Sequence, residues 1–462
     1  MLKRIYFKYK SHYQSNLTLA IPVVISQLGH TLVHTADSVI VGHFAGTIPL
    51  AAVSLVNSIF IIALVIGMGI SYGLTPLIAQ ESGKENNQEC GKLLANSLLI
   101  NAIIGILLYI LIYYGSLLFI DKMDQDPDVV AQAKPYLGLL GFSIIPLMIF
   151  MTFKQFAEGL GFTKQAMMIS LWGNLINVCL GIIFVKGLFG VEPMGVNGVG
   201  WSTLIDRIIM AVVMCIYVLR SRYFKDYLKS FSHGSIDKIR SLKILKIGTP
   251  VALQYTFEVT AFSVSAILIG SIGAVEQAAH LVAINLAAIT YMMASGISAA
   301  ATIKTGNNFG KEDFLNLRLS AISSYHIVLI FMAVAAFLFA GLNEYLPWIY
   351  TSDKAVINIA AQLLIIAAFF QLFDGTQIVG LGILRGIGDV NIPTLITFIA
   401  YWIVGIPAGY YLGIVLGLGA NGIWYGLTLG LLVSAGLLFT RFHYFSKKLV
   451  RQAQIKLMPP EF

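Results

Sequence analysis

Apolar residues in this chain fall in long blocks separated by polar, Gly or Pro punctuation, with no strict alternation inside a block. Blocks of ~20 apolar residues match helices that cross a hydrocarbon core roughly 30 Å thick, and the short alternating segments of an outer-membrane barrel are missing. Reading the blocks gives twelve predicted helices, α1 to α12, near 16–41, 51–80, 93–118, 131–159, 165–188, 196–220, 246–271, 280–303, 318–341, 356–384, 393–416 and 421–441. The first block follows Lys3, Arg4, Lys8 and Lys10 and lacks a small-residue cleavage site, so it is read as a retained α1. The expected fold class is an all-α polytopic membrane protein.

Composition agrees with that pattern. Of 462 residues, 57% are hydrophobic and 11% charged, whereas a soluble chain carries about a quarter charged residues to cover its surface. Soluble enzymes and nucleic-acid binders are set aside, and the net charge of +8 takes its meaning from placement. Lys and Arg crowd the N-terminus, the stretch from Arg220 to Lys246 (Arg222, Lys225, Lys229, Lys238, Arg240, Lys243) and the tail (Arg441, Lys447, Lys448, Arg451, Lys456). On the opposite side Lys122 and Lys134 are outnumbered by Asp121, Asp124, Asp126 and Asp128, and only Lys186 and Lys354 add to them. The positive-inside rule then predicts both termini and the central loop on the cytoplasmic side, with the loop also able to lie on anionic lipid. Aromatic clusters at Tyr109, Tyr113, Tyr114 and at Tyr345, Trp348, Tyr350 suit an interfacial belt. Cys90, Cys179 and Cys215 have no CxxC spacing and indicate neither a disulfide framework nor a zinc site.

The chain repeats itself at a spacing of about 227 residues. Ile21-Pro22-Val23 returns as Thr249-Pro250-Val251, Gly69-Ile70-Ser71 as Gly296-Ile297-Ser298, and Gly83-Lys84-Glu85-Asn86 as Gly310-Lys311-Glu312-Asp313. Glu158-Gly159-Leu160-Gly161 matches Arg385-Gly386-Ile387-Gly388, and Gly195-Val196-Asn197-Gly198 matches Gly419-Ala420-Asn421-Gly422. Six helices per half is an even number, so the halves are parallel repeats, the arrangement of many alternating-access transporters. The predicted division is an N-terminal lobe 1–220, a basic linker 221–245, a C-terminal lobe 246–441 and a tail 442–462.

An ionisable side chain at the centre of a spanning helix costs at least ~2.5 kcal/mol, so each one is a functional candidate. Asp37 lies toward the outer end of α1, Glu258 near the middle of α7 and Asp374 near the middle of α10. Their repeat mates are not acidic; Asp37 maps onto Ser265. The competing reading of each is a carboxylate hydrogen-bonded to a neighbouring helix for packing specificity. His30, His34 and Asp37 stand at i, i+4 and i+7 on one face of α1, with Ser26 and Gln27 one turn inward. A His beside a carboxylate can relay a proton near neutral pH; a wetted cavity wall, a carbonyl-satisfied His and a structural metal site are the alternatives. Asn174, Asn177, Gln254, Asn285, Gln371 and Gln377 can line a cavity or a cation path, or serve as interhelical glue worth ~0.6 kcal/mol each. Asp206 and Arg207 in α6 are adjacent and read as weaker candidates.

No GxxxxGK[ST] loop is present, so energy must come from an ion gradient, where one charge crossing 100 mV yields ~2.3 kcal/mol. Ala36-Asp37-Ser38 with Gly42, Ala51-Ala52-Val53-Ser54, Phe257-Glu258, and Asp374 with Leu384-Arg385-Gly386 resemble the multidrug and toxic compound extrusion (MATE) family over nearly the whole chain. The resemblance implies a V-shaped pair of six-helix lobes in a bacterial inner membrane, not an enzyme. It implies export of small cationic or aromatic substrates in exchange for Na+ or H+, with no other cofactor. A monomer with lipid as its only other partner and no nucleic acid is expected. Asp37 matches the family's α1 acid, and Glu258 with Asp374 matches the C-lobe cation site, a Na+ candidate, of the NorM-like branch. Two positions depart: Gly181 stands where the DinF-like branch has an Asp, and Phe370 where some NorM-like relatives have Tyr on the pathway. The alternative is a lipid-linked-sugar flippase of the same superfamily, which favours extra helices and a cationic cavity. An intramembrane enzyme would need a Ser/His pair or HExxH, and neither is evident.

Overall fold

The computed structural model describes residues 2–122 and 126–457. Asp124, the tail from residue 458, and the side chains of Lys3, Arg4, Asp121 and Lys456 lie outside the described residues. Among the described residues twelve helices are long and apolar enough to cross a membrane. They are α1 (Phe7–Phe44), α2 (Thr47–Gly83), α3 (Asn87–Phe119), α4 (Pro127–Gly159), α5 (Thr163–Lys186) and α6 (Val196–Arg220). The second six are α7 (Lys238–Gly270), α8 (Ala274–Gly310), α9 (Phe314–Gly341), α10 (Lys354–Gly386), α11 (Asn391–Val415) and α12 (Gly419–Gln454).

Several helices outrun their apolar blocks because polar residues extend and cap them. Asn86 caps α3 by accepting from the Glu89 N–H at 3.3 Å, and Asp313 caps α9 by accepting from Asn316 N–H at 3.1 Å. Polar turns carry α7 back to Lys238 and α12 on to Gln454, so the expected tail from 442 begins as helix. Asp237 caps α7 by accepting from the Arg240 N–H at 2.9 Å, which holds its carboxyl below the usual carboxylate range. Helix α2 is interrupted at Tyr72–Gly73 and α4 at Ser143. Pro76 and Pro146 follow closely, and proline has no N–H to continue the ladder. In α11 the backbone widens into π turns over Ile399–Gly405 and Tyr411–Val415.

The internal repeat is written in the backbone as well as in residue types. Glu85 and Glu312 both take positive φ, 60° and 55°, and each precedes the residue that caps the next helix. A non-glycine residue in this region is uncommon, so the pair marks one turn built twice. Gly161 and Gly388 match likewise, at 89° and 81°.

The chain divides into two compact units, Ile25–Ala252 and a second that joins the residues up to Val24 with Leu253–Phe462. Here they are the N-unit and the C-unit. Both borders fall inside helices, α1 and α7, and each helix contributes its first half to one unit and its second half to the other. The basic segment 221–245 falls within the N-unit.

Within the N-unit the first half of α7 is seated on α2 without side chains between. A Cβ on Gly69 would overlap the Ala252 backbone, and one on Gly248 would come within 2.5 Å of the Ile70 carbonyl. Polar anchors precede this contact. Arg240 grips Glu89 through Nε–Oε1 and Nη2–Oε2, both 2.8 Å. Buried Asn96 donates to Ser235 O at 2.9 Å and accepts from Asp237 N–H at 2.9 Å and Ser241 Oγ at 3.0 Å. The apolar core lies beneath, with Val53, Phe60, Tyr136, Leu140 and Met148 among its members.

The C-unit repeats the device with the first half of α1. Gly296 packs against the Val24 backbone, where a Cβ would stand 2.6 Å from the Val24 nitrogen. Asn16 donates to Ser320 O (3.0 Å), Ser323 Oγ (2.7 Å) and Ser324 Oγ (2.9 Å) of α9. One of its core clusters gathers α8, α10 and α12 around Trp424, Phe370 and Tyr401.

Enlarging Gly296 to Leu should destabilise the fold by at least ~1–3 kcal/mol, since the collision is with backbone. Thermal unfolding of purified Gly296→Leu would show a lowered midpoint, whereas Gly115→Leu, with nothing within 4 Å, should unfold like the parent.

Candidate functional site

Helix α1 brings His30, His34 and Asp37 to a cavity of about 90 Å³ inside the N-unit. Gln27, Asn174, Asn177, Thr203, Asp206, Arg207 and Lys154 complete its polar lining. The i, i+4, i+7 stripe thus faces one space, and α5 contributes Asn174 and Asn177 to the same space. Asp206 and Arg207 join them from α6, both buried at 3% and 6% exposure. Adjacent residues on a helix point about 100° apart, and the cavity is wide enough to receive both.

Each polar group here is held differently. Arg207 donates from Nη1 to Ser143 Oγ at 2.7 Å and lies 5.2 Å from the Phe60 ring centroid. The Ser143 hydroxyl sits at the break in α4, so that interruption supplies the anchor. Asn177 donates to Thr203 Oγ1 at 3.1 Å. Asp37 Oδ1, Asp206 Oδ1, Asn177 Oδ1 and Asn174 Nδ2 are buried with no hydrogen-bond partner. His34 is exposed and also borders a second, open recess with Ser38, Ser54, Asn57 and Ser58.

Lys154 and Glu158 are a pair that the sequence reading passed over. Both are buried on α4, with Nζ 3.9 Å from Oε1 and Nζ donating to Ser26 Oγ at 3.2 Å. Their i, i+4 spacing in an apolar helix was the available signal.

The C-unit assembles the other two carboxylates. Glu258 on α7 and Asp374 on α10 are 5% and 3% exposed and lie within electrostatic reach of one another. Tyr291 of α8 lies within electrostatic reach of Glu258 and Asp374. Tyr401, carried by the first π turn of α11, lies near both acids and exchanges hydrogen bonds with Gln377 at 3.1 and 3.3 Å. Neither tyrosine stood out in sequence, since Tyr is common in spanning helices and a π turn leaves no residue signature. Gln371, one turn from Asp374, is 1% exposed and neither amide atom has a partner. The two carboxylates are oxygen donors, the type that suits a hard cation. Among the described residues no group of three or more His, Cys, Asp or Glu could hold a metal ion.

Three expected site residues behave otherwise. Asn285 is exposed, on the face of α8 shared with Leu281 and Ile289. The buried face carries Val282, Ala283, Leu286 and Ala287, so helical phase turns Asn285 away from the C-unit acids. Phe370 is a core residue, tilted on Trp424 at 5.3 Å and edge-on to Phe262 at 6.1 Å. Gln254 ties α7 to α11, donating to Thr394 Oγ1 at 2.9 Å and Val390 O at 3.3 Å.

The MatE family model matches the chain twice, over residues 22–183 and 250–411. The chain belongs to the MatE family. Two matches in one MatE chain, offset by 228 residues, restate the repeat seen in sequence and backbone. Solved structures agree in fold. A eukaryotic MATE transporter, AtDTX14, is 18% identical with a TM-score of 0.87, covering 98% of this chain and 100% of its own. An outward-facing multidrug resistance MATE family transporter is 21% identical at 0.86, over 95% and 97%. A MOP superfamily transporter from Pyrococcus furiosus, described as having a binding pocket of reverse polarity, is 19% identical at 0.86, over 96% and 98%. This MatE chain is a multi-pass membrane transporter, with twelve helices among the described residues long and apolar enough to span.

Removing only the lysine of the buried α4 pair leaves Glu158 uncompensated, which costs about 3–5 kcal/mol. Lys154→Met should therefore unfold at a clearly lower temperature than the parent. The double variant Lys154→Met/Glu158→Leu should recover much of the loss, and an unchanged midpoint in the double relative to the single would contradict the pairing.

Proposed function

We propose that the chain is a secondary antiporter of the NorM-like kind, exporting organic cations in exchange for Na+ or H+ by alternating access. The observation that carries this reading is the burial of Glu258 and Asp374 in spanning helices within electrostatic reach of each other, with unpartnered Gln371 one turn from Asp374. Two acids held in apolar surroundings are unstable as a pair of bare charges. They are therefore poised to take up a cation, and what they take up is set by which cation is at hand.

The cycle follows from competition. With the acids ionised, a cationic substrate is attracted to the interior. Arrival of Na+ or H+ from the outer side neutralises a carboxylate, the attraction falls, and the substrate leaves outward. A ligand shifts such an equilibrium only by its difference in affinity for the two states, and neutralising the acids provides that difference. The excess of Lys and Arg in the central segment and at both ends supports a bacterial inner-membrane orientation with cytoplasmic termini.

Glu258→Gln and Asp374→Asn should each abolish dye efflux from cells while the protein still reaches the membrane. Undiminished efflux in either variant would overturn the assignment. Varying Na+ and pH independently in proteoliposomes identifies the coupling ion. If protons pass along α1, His34→Ala should displace the pH profile of transport, and an unmoved profile would restrict His34 to lining the wall.

A further inference from the structure

The N-unit cavity contains more unsatisfied oxygen than the coupling scheme uses. Three buried acceptor atoms, Asp37 Oδ1, Asp206 Oδ1 and Asn177 Oδ1, lack partners on residues that line one space. Asp37, Asp206 and Asn177 are 5%, 3% and 0% exposed. Buried acceptors left without donors are costly, and native structures satisfy them with protein, water or ligand.

Charge points the same way. Asp37 and Asp206 lie within electrostatic reach of each other and share one cation, Arg207. Lys154 is occupied by Glu158 at 3.9 Å and Ser26 at 3.2 Å. Counting the histidines as neutral, the lining together with Glu158 is one positive charge short of balance. The fourth orphan, Asn174 Nδ2, is a donor and adds no charge.

We propose that this cavity is a binding site for a primary ammonium group, with Asp206 as the residue that sets that specificity. The proposal rests on the reading of the chain as an exporter of organic cations and names which cations this site prefers. A primary ammonium brings one positive charge and three N–H donors, matching the missing charge and the three orphaned oxygens. A quaternary ammonium brings the charge without any donor, so it leaves all three oxygens unsatisfied. Sites built to hydrogen-bond a ligand reject analogues that lack the group. Leu64, Met68, Leu147, Met151 and Met210 line the rest of the space and suit an apolar body, methionine being able to reshape around it.

The test uses the full chain in lipid nanodiscs, in potassium buffer near neutral pH, with calorimetric titration of three probes sharing one ring. They are phenethylamine, its N,N,N-trimethyl derivative and 2-phenylethanol. Phenethylamine should bind at least about tenfold more tightly than the other two. Asp206→Asn should remove that preference, and Asp206→Glu should keep part of it, which separates loss of the carboxylate from loss of fold. Equal affinity for the trimethyl probe, an unaltered preference in Asp206→Asn, or binding of Na+ alone with none of phenethylamine would each overturn the proposal. Amine selectivity alongside dye efflux indifferent to Glu258→Gln would sink the coupling scheme and leave this site standing. The reverse pattern would remove this site and leave the coupling scheme.

Discussion

Charge is expensive in hydrocarbon, and the arrangement of this chain follows from how few charges it admits and how each is held. Arg207 is anchored on a serine and an aromatic face, and Lys154 on a serine and a glutamate. Glu258 has the Tyr291 ring within electrostatic reach. Where a group is held incompletely, as at Asp37, Asp206 and Gln371, the shortfall is in hydrogen bonds that a transported species can supply. Other buried polar atoms, among them Asn101 Oδ1 and the Tyr325 hydroxyl, are unpartnered as well, so it is the carboxylates among the unpartnered groups that mark the interior chemistry. The ends of the helices, where water is available, carry ordinary ion pairs such as Arg240 with Glu89 and Arg441 with Asp389.

Holding those groups in register requires stiff helices, and here small residues matter more than large ones. Without a hydrophobic drive between helices in lipid, close packing of small residues supplies the association. Gly69 and Gly248 let α7 lie directly on α2, and Gly296 lets α8 lie on α1. Those contacts seat the first halves of α1 and α7, the helices that carry Asp37 and Glu258 in their later turns. In α11 and α12 glycines meet again, Gly422 beside Gly413 and Gly430 beside Ala400. The π turns of α11 run through this contact, and one of them carries Tyr401 to the acids.

Much of the site was legible before any coordinates. Asp37, Glu258 and Asp374 were conspicuous because an acid in an apolar run has few ordinary explanations. The stripe of His30, His34 and Asp37 followed from helical spacing alone. Neutral side chains were less legible. Asn285 and Gln371 look alike in sequence, yet one is exposed and the other is buried. Phe370, which the resemblance puts on the pathway, is a member of a buried apolar cluster. Lys154 and Glu158 escaped notice because the block containing them reads as apolar overall.

The sequence alone determined the number of spanning helices, the duplicated halves and the scarcity of interior charge. Each of these is a local or periodic property, set by run length, spacing and residue type. It also placed the acids on their helices. Only the tertiary structure decided which helices share a unit, because α1 and α7 divide their lengths between units and no composition boundary marks the crossing points. It alone joined Asp206 and Arg207 to the α1 stripe, and Tyr291 to Glu258. Those juxtapositions depend on helix rotation and on backbone approach at particular glycines, which residues distant along the chain settle together.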